Sequence, residues 1–251
     1  IWKAAPDLVA GNTVVLKPAS NTPWTAALIT EIFEEAGFPP GVFNMVLGPG
    51  SSVGDEIVKN PKVRALSFTG SNQVGQDLYR QGADRGVKVQ TEMGGKNPIV
   101  ILEDADLDLA VEATVQGAFG STGQRCTATS RAIVVDSVAD AFVAKLVARS
   151  QSLKVGPGTG EGVDLGPVVD SSQLSEVLAA IEQAKKEGAR CLLGGHRLEE
   201  AGLSSGFFVA PTIFDHVDPK SQLALEEVFG PVLAVLRVKD LDEALEVANS
   251  V

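Results

Sequence analysis

Cys126 stands in the run Gly120-Ser121-Thr122-Gly123-Gln124-Arg125-Cys126-Thr127-Ala128-Thr129-Ser130-Arg131, which lies between two strongly apolar segments and could fill little of a core. A structural cysteine behaves as a small hydrophobe and keeps apolar neighbours. Glycines, hydroxyls and two arginines suit instead a thiol that has to be reached. A nucleophilic thiol needs a lowered pKa or a nearby base. The two histidines, His196 in GGHRLEE and His216 in FDHVDP, sit in polar, turn-like stretches. Glu92, in QTEMGGKNP, is the better partner. A carboxylate that ends a strand and is followed by Gly94 and Gly95 is held at the carboxyl edge of a sheet, where α/β proteins bind ligands. The same residue also reads as a solvated turn glutamate. Cys191, in GARCLLGG beside two leucines, reads as an ordinary strand residue.

A second constellation is Ser67-Phe68-Thr69-Gly70-Ser71-Asn72-Gln73-Val74-Gly75. A strand, then Gly70-Ser71, then a helix start aims backbone N–H groups and a hydroxyl at a phosphate. The stretch departs from the G-x-G-x-x-G fingerprint, so an ordinary strand-to-helix turn stays open as the alternative. Gly48 to Gly54, which includes Gly50, is a similar turn one unit earlier. Two such turns at neighbouring strand ends point to a nucleotide crevice.

These residues need elements to position them. Segments 13–17, 42–46, 65–68 and 87–91 are short β-prone runs at the spacing of βαβ units. Between them, Asn21-Thr22-Pro23 offers a cap and a first-turn proline, Ile29, Ile32, Phe33 and Ala36 an apolar helix face, and Gly37 a stop. A parallel sheet covered on both sides is expected. After Gly94-Gly95 the pattern restarts. Leu107, Val111, Val115 and Ala118 form a helical stripe, 131–135 a strand, Phe142, Val143, Leu146 and Val147 a second helix, and Leu174, Val177, Leu178 and Ile181 a third, closed by Gly188. Gly156 to Gly162 reads as a surface loop.

With 251 residues and 44% hydrophobic content the chain can bury a substantial core. A net charge of -11 argues against nucleic-acid or anionic-membrane partners, which call for basic patches. No apolar run approaches the roughly 20 residues of a membrane span. Two cysteines cannot build a disulfide framework and fit a reducing compartment, so the cytoplasm is expected. No metal-ligand cluster is read. The first residue is neither an initiator methionine nor the start of a leader, so the chain is expected to be a piece of a longer polypeptide.

Five segments, VVLKPAS (14–20), FTGSNQVG (68–75), EMGGKNP (92–98), GQRCTATSR (123–131) and LEEVFGPVL (225–233), stand in the order and at the spacing of the NAD(P)-dependent aldehyde dehydrogenase superfamily, which the whole chain resembles. The resemblance implies an α/β, aldehyde dehydrogenase-like fold in which 1–94 is the carboxyl part of a Rossmann-type cofactor domain and 95–251 a catalytic domain truncated at its end. It implies Cys126 as nucleophile, forming a thiohemiacetal and then a thioester, with Glu92 as general base and the Cys126 N–H as an oxyanion donor. NADP or NAD is the implied cofactor. Lys17, Ser20, Gly50, Gly70, Ser71, Met93, Glu227 and Phe229 would bind it, Lys17 at the adenosine ribose, Ser71 at the pyrophosphate, and Glu227 with Phe229 at the nicotinamide riboside. Ser20 stands where many NAD-preferring relatives carry a glutamate, which points to acceptance of NADP.

Arg125 and Thr127 flank the nucleophile, and GQRC looks most like the branch that oxidises α-ketoglutarate semialdehyde. Arg125 either orients an acidic substrate or bonds to backbone carbonyls. The family's second oxyanion donor, an asparagine, precedes the segment that begins Ile1-Trp2-Lys3, so the isolated chain is expected to be inactive. The full-length protein is expected to act on a small aldehyde as a homodimer or homotetramer. A thiol hydrolase or acyltransferase using Cys126 with Glu92, or a catalytically silent remnant, are the other readings.

Overall fold

In a computed structural model that describes residues 1–200 and 202–251, the chain separates between Met93 and Gly94 into two units. Ile1–Met93 alternates helices and strands: α1 (Ala4–Val9), β1 (Val14–Leu16), α2 (Pro23–Glu35), β2 (Phe43–Met45), a π-helical turn (Gly50–Gly54), α3 (Asp55–Lys59), β3 (Ala65–Thr69), α4 (Asn72–Arg85) and β4 (Lys88–Glu92). All four sequence-read strands are present. Their pairing differs from the expected single sheet: β1 pairs in parallel with β2 over three positions and β3 with β4 over five, and among the described residues no ladder joins the two pairs. Spacing of 22 to 29 residues specifies a crossover connection but not which strands become neighbours, so sequence could not settle the order.

Covering on both faces is also not what this unit shows. Its only buried residues are Val58, Leu66, Gly75 and Gly82. Helix α2 begins with Pro23 in its first turn and ends before Gly37, as read, but Thr22 makes no side-chain cap. Its apolar face is narrower than the spacing suggested. Phe33 stacks on Phe43 and meets Phe38 edge-on, while Ile32 is 61% exposed and Trp24 76% exposed.

Gly94–Val251 is a thick three-layer unit. It contains β5 (Asn97–Ile101), α5 (Leu107–Phe119), a 3-10 turn (Gly120–Gly123), β6 (Thr129–Val135), α6 (Asp136–Gln151), α7 (Ser171–Lys186), β7 (Arg190–Leu193), a 3-10 turn (Leu203–Ser205), β8 (Thr212–Asp215), α8 (Gln222–Leu225), β9 (Val232–Val238) and α9 (Leu241–Ala248). The sheet order is β5-β6-β9-β8-β7, parallel throughout except for β7, which runs antiparallel to β8. Side chains alternate across a strand, so β6 and β9 each feed two cores. Ala132, Val134, Leu233 and Val235 face α5 and α6, where Val111, Val115, Phe119, Phe142 and Leu146 meet them. Ile133, Val135, Ala234 and Leu236 face α7 and α9, meeting Val177, Ile181 and Ala244. The three helical stripes read from sequence are those that pack here, and Cys191 lies in β7 against the second core.

Two cations tie this unit together. Arg131, 1% exposed, donates to the carbonyls of Lys96, Val247 and Ala248, joining β6 to the start of β5 and to the carboxyl end of α9, whose dipole favours a cation there. Arg237 of β9 grips buried Asp215 with two bonds, at 3.1 and 2.9 Å, and reaches Asp140 at 2.8 Å. Burial pushes the Asp215 carboxyl up, but the bonds from Arg237 and the His216 N–H and the charges beside it outweigh that and hold it below its usual value. A carboxylate with a depressed folded pKa contributes stability above about pH 4, its unfolded value, and loses it as pH falls through the folded one. Arg237→Met is therefore expected to cost about 3 to 5 kcal/mol at pH 7, the effect of stranding one member of a buried pair. Urea midpoints of variant and parent should converge as the pH is lowered below 4; a constant gap would refute this account.

Candidate active site

In the first unit the sequence-read residues gather at the carboxyl ends of the strands. Lys17, just after β1, donates to the carbonyls of Pro18 and Gly48 at 2.7 and 3.4 Å, and Ser20 Oγ reaches the same Gly48 carbonyl at 3.4 Å. The ammonium thus rests on neutral oxygens with no carboxylate in its shell among the described residues. Gly50 opens the π-helical turn that follows β2. Ser71 caps α4, its hydroxyl accepting from Val74 N at 3.4 Å, and Gly70 N bonds to the carbonyl of Glu92 at 3.1 Å. The Glu92 side chain is exposed and accepts a 2.7 Å bond from Gln90 Nε2. Met93 lays its sulfur over Gly75 of α4, where an added Cβ would come within 2.5 Å of it.

In the second unit Cys126 is a free, exposed thiol on the loop between α5 and β6. That loop is held on both sides. Ser121, Thr122 and Gly123 are all left-handed, with φ of 53°, 59° and 69°. Buried Thr122 donates to the Gly166 carbonyl at 3.1 Å, and Gln124 accepts from Val169 N at 2.9 Å while donating to Pro167 O at 3.4 Å. Asn97, at the head of β5, clamps the carbonyls of Cys126 and Ala128 at 2.7 and 3.1 Å. Its role went unread because asparagine before proline signals only a strand or turn start. The Arg125 guanidinium lies on the carbonyls of Gln116 and Gly117 at 3.3 and 3.4 Å, the second of the two arrangements considered for it. Thr127 is exposed beside the thiol.

Glu227 and Phe229 join this loop. Arg125, Gly123, Gly95, Glu227, Phe229 and Gly230 line one small cleft. A Cβ on Gly123 would collide with the Gly230 carbonyl, and one on Gly94 with the Glu227 carboxylate, which accepts from Gly95 N at 3.3 Å. Phe229 is left-handed, φ 52°, an uncommon state for a bulky residue that tends to mark functional sites. Gln173 of α7 donates to the carbonyls of Val228 and Phe229 at 3.1 and 3.2 Å and holds that conformation. His196 bonds to the Gly194 carbonyl and His216 lies beside Asp215, both within turns. Among the described residues no three His, Cys, Asp or Glu side chains are grouped as metal ligands would be, and no helix is long and apolar enough to cross a membrane.

The description "Aldehyde dehydrogenase family" matches residues 1–251, the whole chain. The chain belongs to the aldehyde dehydrogenase family. It is 49% identical over 251 residues to the alpha-ketoglutaric semialdehyde dehydrogenase of Bacillus subtilis (strain 168), covering all of this chain and 51% of that protein. Against the alpha-ketoglutarate semialdehyde dehydrogenase of Haloferax volcanii it is 52% identical over 250 residues, covering all of this chain and 52% of the relative. Betaine aldehyde dehydrogenase from Staphylococcus aureus, solved in complex with NAD+, superposes with a TM-score of 0.97 at 37% identity, over 99% of this chain and 50% of that one. The chain thus spans about half the length of the relatives it matches, and its α/β fold is theirs.

This aldehyde dehydrogenase chain also buries a charge that the sequence reading passed over. Lys96, in the Gly94-Gly95-Lys96-Asn97 segment, is buried and its Nζ has no hydrogen-bond partner among the described residues. Burial first, and then the charge of Arg131, lower its pKa to about 8, against the opposing pull of Glu227 and Glu226. The unfolded chain then binds more protons than the folded one from about pH 8 to 10.5, so stability rises with pH across that window. Lys96→Met, which removes the titration, is expected to be more stable than the parent at pH 7 and to lose that advantage by pH 10. The check is thermal midpoints at both values. A parent whose stability relative to the variant falls with rising pH would contradict this reading.

Proposed function

We propose that the full-length polypeptide carrying this chain oxidises an aldehyde to the carboxylic acid with NAD(P)+, using Cys126 as nucleophile and Glu92 as base. The observation that carries the reading is an exposed thiol on a loop fastened by Thr122, Gln124, Arg125 and Asn97, with no bond to its own Sγ among the described residues. Such a loop fixes a reacting atom without spending it on packing. The thiol, its proton taken by a carboxylate, adds to the aldehyde carbon to give the oxyanion of a thiohemiacetal. When bound, NAD(P)+ supplies the two-electron acceptor that converts this adduct to a thioester. Water then adds to the thioester carbonyl, losing a proton to Glu92, and the C–S bond breaks to return the thiol and release the acid.

The residues present fit a dinucleotide. Lys17 holds an ammonium on two carbonyls, a donor set ready for ribose hydroxyls or a phosphate, with Ser20 beside it. Gly50, Gly70 and Ser71 belong to the turns that follow β2 and β3. Met93 would pack on the cofactor from the end of the first unit. In the second unit the carboxylate of Glu227 and the ring of Phe229, 37% exposed, suit a ribose and an aromatic ring. Residues 1–94 are accordingly assigned to cofactor binding and 95–251 to the nucleophile.

Support for the substrate comes from relatives rather than from Arg125, whose guanidinium is occupied by carbonyls. Two relatives at 49% and 52% identity bear the name of an α-ketoglutarate semialdehyde dehydrogenase, which favours a carboxylated semialdehyde.

Cys126→Ala in the full-length polypeptide is expected to abolish aldehyde-dependent absorbance at 340 nm while cofactor still raises the melting temperature. Glu92→Gln should lower turnover by roughly 100-fold or more, the scale of general-base catalysis, with Cys126 still open to alkylation. Near-parental turnover in Cys126→Ala would end the covalent reading. NADP+ should be accepted at least as well as NAD+, because neutral Ser20 offers no charge to repel a 2′-phosphate. Parallel titrations showing a strong NAD+ preference would overturn that assignment.

A further inference from the structure

The carboxylate that ends β4 is exposed and accepts one side-chain bond, from its own strand. Gln90 and Glu92 are two residues apart on one strand and so share a face. Ser67 on β3 stands directly opposite Gln90 in the parallel register. From the segment before α1, Lys3 reaches onto this ladder and donates to Ser67 Oγ at 3.1 Å, the Phe68 carbonyl at 3.1 Å and Gln90 Oε1 at 3.0 Å. Ser67 Oγ also donates to Gln90 Oε1, at 2.5 Å.

An ammonium has donors only. The Gln90 amide must therefore turn its oxygen to Lys3 and Ser67, which leaves Nε2 facing Glu92 Oε1 at 2.7 Å. The flipped amide would set N–H groups against the ammonium and a carbonyl oxygen against the carboxylate, two repulsions in place of two charge-assisted bonds. Lys3 thus polarises the amide, and the amide in turn fixes the carboxylate. The other carboxylate oxygen, Oε2, has no protein donor among the described residues.

We infer that Gln90 is a positioning residue for Glu92: its amide, oriented by Lys3 and Ser67, fixes Oε1 and presents Oε2 as the oxygen that takes the proton. This rests on the reading of Glu92 as general base. Gln90 itself touches neither aldehyde nor thiol in this account. Removing it should slow the proton transfer and leave binding steps alone.

The test is made in the full-length polypeptide with a carboxylated semialdehyde and NAD(P)+. Gln90→Met keeps the length of the side chain and removes the amide. It is expected to lower kcat about tenfold, a part of the ~100- to 10,000-fold that a positioned base contributes. KM for the cofactor should stay within about twofold, and Cys126 should alkylate in full, which reports an intact fold. On the Glu92→Gln background the same change should cost nothing further, since interactions that act through one group are not additive. Lys3→Met should reproduce the kcat loss in milder form, and Lys3→Arg, which restores the donor, should recover it. Parental kcat in Gln90→Met, with Glu92→Gln impaired, would overturn this inference alone. So would an equal loss from Gln90→Met on both backgrounds, the mark of a merely structural role. Parental turnover in Glu92→Gln would instead remove the base reading, and this inference with it.

Discussion

The second unit's candidate site depends on one close approach, that of Gly123 to the Gly230 carbonyl. An added Cβ at Gly123 would overlap that oxygen, so the turn preceding the thiol can seat itself on the 227–230 segment only with glycine there. Seating it demands three consecutive left-handed residues in the turn and a fourth at Phe229. Non-glycine residues in that region cost about 1 to 2 kcal/mol each. The cost is offset by the bonds of Thr122, Gln124, Arg125 and Asn97 on one side and Gln173 on the other, each typically worth about 1 kcal/mol net. Strain and anchoring together leave Cys126 exposed and its backbone fixed.

The core behind that turn was legible where a helix stripe or a β-branched run was long. Val111, Val115 and Ala118, or Leu174, Val177 and Ile181, repeat at helical spacing and are buried as that spacing requires. Strand β9 was not read as a strand, although Val232 to Val238 is among the most buried segments. A strand covered on both faces loses the alternation that identifies it and cannot be told from a helix by period alone. Cys126 and Glu92 stood out as candidates because glycines, hydroxyls and arginines surround the thiol and two glycines follow the carboxylate, although a plain turn glutamate stayed open for Glu92. Asn97, Gln124 and Gln90 were not, since an amide reveals its work only through the groups that tertiary structure brings to it. Strand order in the first unit was hidden for the same reason.

Charge placement in the second unit follows from the same crowding. Lys96 and Arg131 lie in one buried neighbourhood, where the charge of Arg131 disfavours that of Lys96; burial also lowers the Arg131 pKa, and three carbonyls receive its guanidinium. Lys96 has no such oxygens among the described residues, and only the charges of Glu227 and Glu226 favour its charged form. Glu227 thus interacts with a buried cation and accepts from Gly95 N where it lines the small cleft. A carboxylate placed this way can exchange a weak backbone bond for better donors without leaving its position.

The two units hold their candidate residues by different physical means. Around Cys126 the geometry comes from close packing, and packed interiors resist small displacement. In the first unit hardly any side chain is buried, so Lys17, Ser20 and Glu92 take their orientations from polar networks in contact with water. Bonds of that kind are individually worth about 1 kcal/mol and are exchanged readily for those of a ligand. Lys17 rests on two neutral carbonyls, those of Pro18 and Gly48, with the longer bond to Gly48. Glu92 differs in that its donor, the Gln90 amide, is itself oriented by a cation and a hydroxyl. Orientation in the first unit is thus set by exposed polar bonds, and around Cys126 by packing and buried anchors.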